Sequence, residues 1–218
     1  LRKTPVDDHY APYEPHLPHP QTELPGEEPA KMAQTAAELA SKTDAFAFEG
    51  ISDFANAYEK GKKTPLQVAE RLVELVKGHG KELGIFIACD EADLLRQAQE
   101  STERFAAKKQ LGIFDGVPMA IKDEVKMVGY PTTAGTSFLG AEPETEDAET
   151  VGRLRRAGAM LIGKANMHEV GLGVTGINPH YGPARNPYDP SRITGGSSSG
   201  SAAAVAAGFG PVSLGADG

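Results

Sequence analysis

The sequence predicts an α/β fold in which helices cover a mixed β-sheet. Two observations carry this. From residue 84 onward, short apolar strand-like runs alternate with helical segments, the rhythm of helices laid on a sheet. Glycine and proline are also abundant, at 25 and 16 of 218 residues, which supplies the turns that such short elements need. The length suits one domain with its own core.

Residues 1–30 hold seven prolines and three histidines with almost no apolar periodicity, and read as an extended arm. His9, His16 and His19 match no metal-ligand spacing and read as solvated arm residues. Residues 31–42 and 51–60 suit short helices. The boundaries are an arm with a short helix over 1–44 and a folded body over 45–218. At Thr64-Pro65 the sequence shows an N-cap threonine with proline at the first helical position. Leu66, Ala69, Leu72, Val73 and Val76 then share one face, and Gly78 marks the expected end. Gly84–Cys89 reads as a strand, Glu91–Lys108 as a helix, and Val117–Lys122 as a strand after the Asp115-Gly116 turn. Residues 147–157 read as a helix with Asp147 and Glu149 in its first turn and Arg153, Arg155 and Arg156 near its end, capped by Gly158. Those arginines have a structural explanation, and the acidic run 142–149 reads as a solvated loop and helix start. Ala159–Ile162 is the next strand, and Val212–Ala216 the last.

Composition excludes some classes. A net charge of −8 argues against a nucleic-acid surface, which needs clustered Lys and Arg. Cys89 is the only cysteine, so no internal disulfide forms, and its place in GIFIAC reads as a small core residue. No apolar run reaches the ~18 residues of a membrane span, and no signal peptide is visible. The expected location is intracellular, either cytoplasmic or peripherally on a membrane.

The chemistry gathers in two places. Gly195 to Gly208, GGSSSGSAAAVAAG, reads as a loop feeding a buried helix, with unpaired N–H groups at the junction that favour negative charge. A flexible linker is not followed at once by such a helix, and a phosphate loop lacks its lysine here. Lys122 ends the apolar run VPMAIK. A lysine in such a setting can serve as a general base only when neutral, which burial favours. The competing reading pairs Lys122 with Asp123 or Glu124 at the strand end.

GGSSSGS together with the upstream IKDE lysine resembles the amidase signature family of serine hydrolases, most strongly its plant and fungal fatty acid amide hydrolase branch. The resemblance covers roughly residues 45–218 and is most specific over 115–218. It implies the N-terminal half of a mixed-sheet fold, and hydrolysis of a carboxylic, fatty acyl amide through a Ser–cis-Ser–Lys triad and an acyl-enzyme. By the same resemblance Lys122 is the base and Ser197 the bridging serine, which follows a cis peptide bond. Gly218 begins the oxyanion hole, Gly171 lies in a segment lining the acyl pocket, and the nucleophilic serine is expected just beyond residue 218. IKDE stands where IKDN is more usual, and GADG where GTDG is expected. No cofactor or metal is implied. The partners are a small-molecule amide and the remainder of the domain, without nucleic acid; a homodimer and a peripheral membrane contact stay open. Two alternatives stand beside this reading: the A-type chain of a glutamyl-tRNA amidotransferase, and a catalytically inactive fragment or binding module. The last strand, on this reading, enters a sheet whose other members lie outside the chain, so the 218 residues alone are expected neither to fold cooperatively nor to hydrolyse amides.

Overall fold

A computed structural model describes residues 49–217. The arm, the 44/45 boundary, the helix expected at 31–42, the three arm histidines and Gly218 lie outside the described residues. The elements in chain order are α1 (Ile51–Glu59), α2 (Pro65–Leu75), β1 (Phe86–Ala88), α3 (Glu91–Ala106), β2 (Pro118–Lys122), α4 (Glu149–Arg156), β3 (Met160–Ala165), β4 (Arg185–Asn186), β5 (Asp189–Ile193), α5 (Ser199–Ala206) and β6 (Val212–Leu214). A π-helical segment (Val76–Gly80) continues α2, and a 3-10 turn (Glu169–Gly171) follows β3.

Among the described residues the main sheet runs β1-β3-β2-β6, and β4 and β5 form a separate hairpin. β2 lies parallel to both β3 and β6, whereas β1 runs antiparallel to β3. The mixed sheet with its helices matches the expected class. One expectation needs correcting: β6 pairs with β2 through Met119 to Ile121, so the last strand finds its partner within the chain. A second correction concerns Gly78. The helical path runs through it to Gly80, which lies against the Phe209 ring.

Alternation along the strands sorts the core into two layers. Ala120, Met160 and Ile162 meet Leu72 of α2, Leu94 and Ala98 of α3, and Ala203 and Ala204 of α5. Met119, Ile121 and Leu161 face the other way, towards Val151 of α4 and Met127 and Tyr130. Local signals start the helices as expected. The Thr64 hydroxyl accepts from the Gln67 amide at 3.2 Å while the Gln67 side chain accepts from the Thr64 amide at 3.0 Å. On α4, Arg155 pairs with Asp147 at 2.7 Å and Arg153 with Glu149 at 2.8 Å, so the arginines and part of the acidic run serve each other.

Cys89 is exposed rather than a core residue, because β1 ends at Ala88 and the chain turns outward into α3. Its sulfur still lies over Gly163, and that partial burial pushes the thiol up to about 12, which leaves it a poor nucleophile.

Asp115 is more than a turn residue. Its buried carboxylate accepts from Ser101 Oγ at 2.7 Å, from Arg104 Nη2 at 2.7 Å and Nε at 2.9 Å, and from the Leu111 amide at 2.9 Å. Burial alone would raise its pKa, but these bonds outweigh burial and hold it below the usual carboxylate range. A carboxylate depressed on folding contributes stability above its unfolded pKa of about 3.9, and that contribution is lost as pH falls through the folded value. Asp115→Asn is therefore expected to lose roughly 1.5–3 kcal/mol at pH 7 in urea unfolding. Its stability should also fall less steeply than that of the unsubstituted protein below about pH 4. Equal slopes in that acid range would show that Asp115 is not the group responsible.

Candidate active site

The side chain of Lys122 shares a face of β2 with Ala120, the face covered by α5. Strand alternation thus aims the lysine at the loop that opens α5. The residue is 1% exposed. Its Nζ lies 2.8 Å from Ser197 Oγ and 2.9 Å from the Ala216 carbonyl oxygen, and the peptide before Ser197 is cis. The lysine and the serine singled out in the sequence stand in direct contact.

The serine run divides its work. Ser197 reaches Lys122. The Ser198 hydroxyl donates to the Ala216 carbonyl at 3.0 Å and accepts from the Ala216 amide at 3.3 Å. That of Ser199 donates to the Asn166 carbonyl at 3.3 Å. Ser201 ties α5 to β6 through the Leu214 carbonyl at 3.1 Å. Small residues let the helix approach closely: a Cβ on Gly200 would meet the Ile85 carbonyl oxygen at 2.3 Å. The junction differs from expectation in one respect. The Ser199 amide donates to Ser197 O at 3.0 Å and the Gly200 amide to Asn166 O at 2.8 Å, so these donors are already taken. A cavity of about 310 Å³ opens beside the loop, lined by Gly195, Gly196, Ser197, Ser198, Ala216 and Asp217 among others.

Besides meeting Ser197, Lys122 Nζ lies 3.0 Å from Glu124 Oε1, so the strand-end pairing with Glu124 is present beside the contact with Ser197. Asp123 turns away and faces Lys164 of β3 at 3.6 Å. Gly171 closes the 3-10 turn with φ +75°, and a Cβ there would come within 2.7 Å of Glu124 Oε2. The Gly171 segment thus meets the site through Glu124. Gly218, the expected start of the oxyanion hole, lies outside the described residues.

Sequence reasoning passed over the support behind these groups. Lys164 and Asp123 are both buried. Lys164 Nζ donates to the Val125 carbonyl at 2.8 Å and the Pro131 carbonyl at 3.2 Å. Burial pushes the Lys164 ammonium below the ordinary lysine range, and the Asp123 carboxylate opposes that shift. Asp123 Oδ2 accepts from Thr133 Oγ1 at 2.5 Å and the Gly135 amide at 3.0 Å. The next residue, Ala134, accepts at its carbonyl from the Val170 amide at 2.9 Å, which anchors the Gly171 turn. Asn178 Nδ2 links the Gly135 and Met167 carbonyls at 2.8 and 2.9 Å. A charged residue inside the apolar run MLIGKA was the available signal for Lys164.

The chain as a whole has known relatives. The Amidase family profile matches residues 67–218. A fatty acid amide hydrolase of Arabidopsis thaliana is 43% identical over 183 residues, covering 82% of this chain and 30% of that protein. The A-type chain of the glutamyl-tRNA(Gln) amidotransferase of Symbiobacterium thermophilum is 40% identical over 158 residues, covering 72% of this chain and 32% of that protein. Among solved structures, a crystal structure of an amidase superposes with a TM-score of 0.70 at 42% identity, covering 76% of this chain and 38% of that one. The native peptide amidase of Stenotrophomonas maltophilia gives 0.72 at 29% identity, covering 78% and 36%. The chain spans about a third of the length of these relatives. Matched in sequence over most of its length and in fold over three quarters, the chain belongs to the amidase signature family.

Proposed function

We propose that this chain forms the lysine-bearing part of an amidase domain that hydrolyses a fatty acyl amide, with the nucleophilic serine beyond residue 218. The observation that carries this is the contact of buried Lys122 with Ser197 at 2.8 Å. A buried lysine that meets a hydroxyl has a direct route for a proton. The nucleophile passes its proton to Ser197 Oγ, which gives its own to Lys122 Nζ, while the nucleophile's oxygen bonds to the amide carbon. Collapse of the tetrahedral intermediate breaks the C–N bond, and the proton returns from Lys122 through Ser197 to the leaving amine. Water then hydrolyses the acyl-enzyme by the same relay.

An apolar acyl chain suits the surface near Gly171, where Leu172 is 83% and Val174 81% exposed. The identity to plant fatty acid amide hydrolases supports the same substrate class. The 40% identity to an amidotransferase chain of the A type favours a second reading, release of ammonia from glutamine for transfer. The test assays the protein carrying the whole domain with a long-chain fatty acyl amide, a short-chain amide and glutamine. Preference for the long chain, with an acyl adduct visible by intact mass, is the expected result. Turnover of glutamine alone would select the amidotransferase reading.

A further inference from the structure

Glu124 has no part in the relay described above, yet its carboxylate touches both ends of the site. Val125 N donates to the Lys122 carbonyl at 3.0 Å, closing a turn directly after β2. Glu124 sits inside that turn, which folds its side chain back beside Lys122. Oε1 lies 3.0 Å from Lys122 Nζ, and Oε2 occupies the space where a Cβ on Gly171 would fall. The adjacent carboxylate, Asp123, is turned to Lys164 instead.

The neighbours of Lys122 Nζ differ in what they can exchange. The Ala216 carbonyl and the Glu124 carboxylate only accept hydrogen bonds, whereas the Ser197 hydroxyl both donates and accepts. Of these three, Ser197 alone has a proton to give a neutral Lys122. When it does, the Ser197 O–H bond breaks and an N–H bond forms on Lys122. Ser197 oxygen receives the nucleophile's proton, and a positive charge appears on a nitrogen otherwise cut off from water. A carboxylate at 3.0 Å offsets that charge where water cannot.

We propose that Glu124 is a positioning residue for Lys122, fixing the amine towards Ser197 and stabilising the ammonium formed during proton transfer. The proposal rests on Lys122 acting as the base. Gly171 then has a second role: its missing side chain leaves room for the carboxylate.

The test uses the protein carrying the whole amidase domain, with Glu124→Gln, Glu124→Ala, Lys122→Ala and Glu124→Gln/Lys122→Ala assayed on an acyl amide. Glu124→Gln and Glu124→Ala are expected to lower kcat by roughly 10–100-fold, near the lower end of general acid–base effects, with KM little changed. Because Glu124 acts through Lys122, adding Glu124→Gln to Lys122→Ala should cause no further loss. Gly171→Ala should lower kcat in the otherwise unsubstituted protein but not in the Glu124→Ala background, where no carboxylate remains to displace. Wild-type kcat in Glu124→Gln, or a loss seen only in KM, overturns the proposal. A further loss on top of Lys122→Ala does so too, since Glu124 would then act elsewhere. Near-normal turnover by Lys122→Ala itself would instead remove the base assignment on which the proposal rests.

Discussion

Lys122→Ala is expected to lower amide hydrolysis by at least ~10⁴-fold in the protein carrying the whole amidase domain, whereas Ser197→Ala should leave a larger residual rate. The difference follows from what each group does. Lys122 receives the proton, and Lys164, the other buried lysine among the described residues, is engaged with Asp123 and the Val125 carbonyl. Ser197 bridges, and a water molecule in the adjoining cavity of about 310 Å³ offers a poorer bridge. General acid–base groups contribute ~10²–10⁴-fold, so the lysine loss should reach at least the upper end of that range and the serine loss fall below it. Single-turnover acylation, followed by intact mass, separates the proton-transfer defect from any change in binding. Rapid acylation by Lys122→Ala would sink the mechanism, because the proton would then have left the nucleophile without Lys122.

How far the site was legible depended on the distance over which each signal acts. Thr64-Pro65 announced α2 because capping is decided within four residues. The run ending at Lys122 announced β2 because burial on both faces leaves an unbroken apolar string. Contacts across long separations were another matter. Lys122 and Ser197 are 75 residues apart, and only resemblance to a family joined them before their coordinates did. Hairpin β4–β5 escaped notice because Pro187, Pro190 and Asp189 argue against a strand, and the hairpin is tolerated as a largely exposed pair outside the main sheet. Glycine at 78 pointed to a helix end, yet tertiary packing of Gly80 on Phe209 carries the helical path past it. β3 was read three residues short at its end, since Gly163 and Lys164 are poor strand signals in isolation. Lys164 becomes intelligible only beside Asp123, which the turn directly after β2 supplies.

That buried pair sets the largest stability effect to be expected. Lys164→Met removes the cation facing Asp123 Oδ1, an atom with no hydrogen-bond partner of its own, and leaves a buried carboxylate uncompensated. Breaking a buried ion pair from one side costs about 3–5 kcal/mol, against little or no net cost when both partners become neutral. Lys164→Met should therefore strongly lower the urea midpoint of the protein carrying the whole domain. Asp123→Asn/Lys164→Met should recover much of the loss, because an asparagine oxygen can still accept from Thr133 Oγ1 and the Gly135 amide. The recovery should be incomplete. Lys164 also donates to the Val125 and Pro131 carbonyls, and methionine leaves both without that bond. The consequence extends to catalysis, since Asp123 follows Lys122 directly and its bonds to residues 133 and 135 hold the loop that anchors the Gly171 turn. A double variant with restored stability but depressed kcat would locate that coupling in the loop rather than in global folding. Equal midpoints for Lys164→Met and the double variant would show that the charge pair is not what holds β2 and β3 together at this end of the sheet.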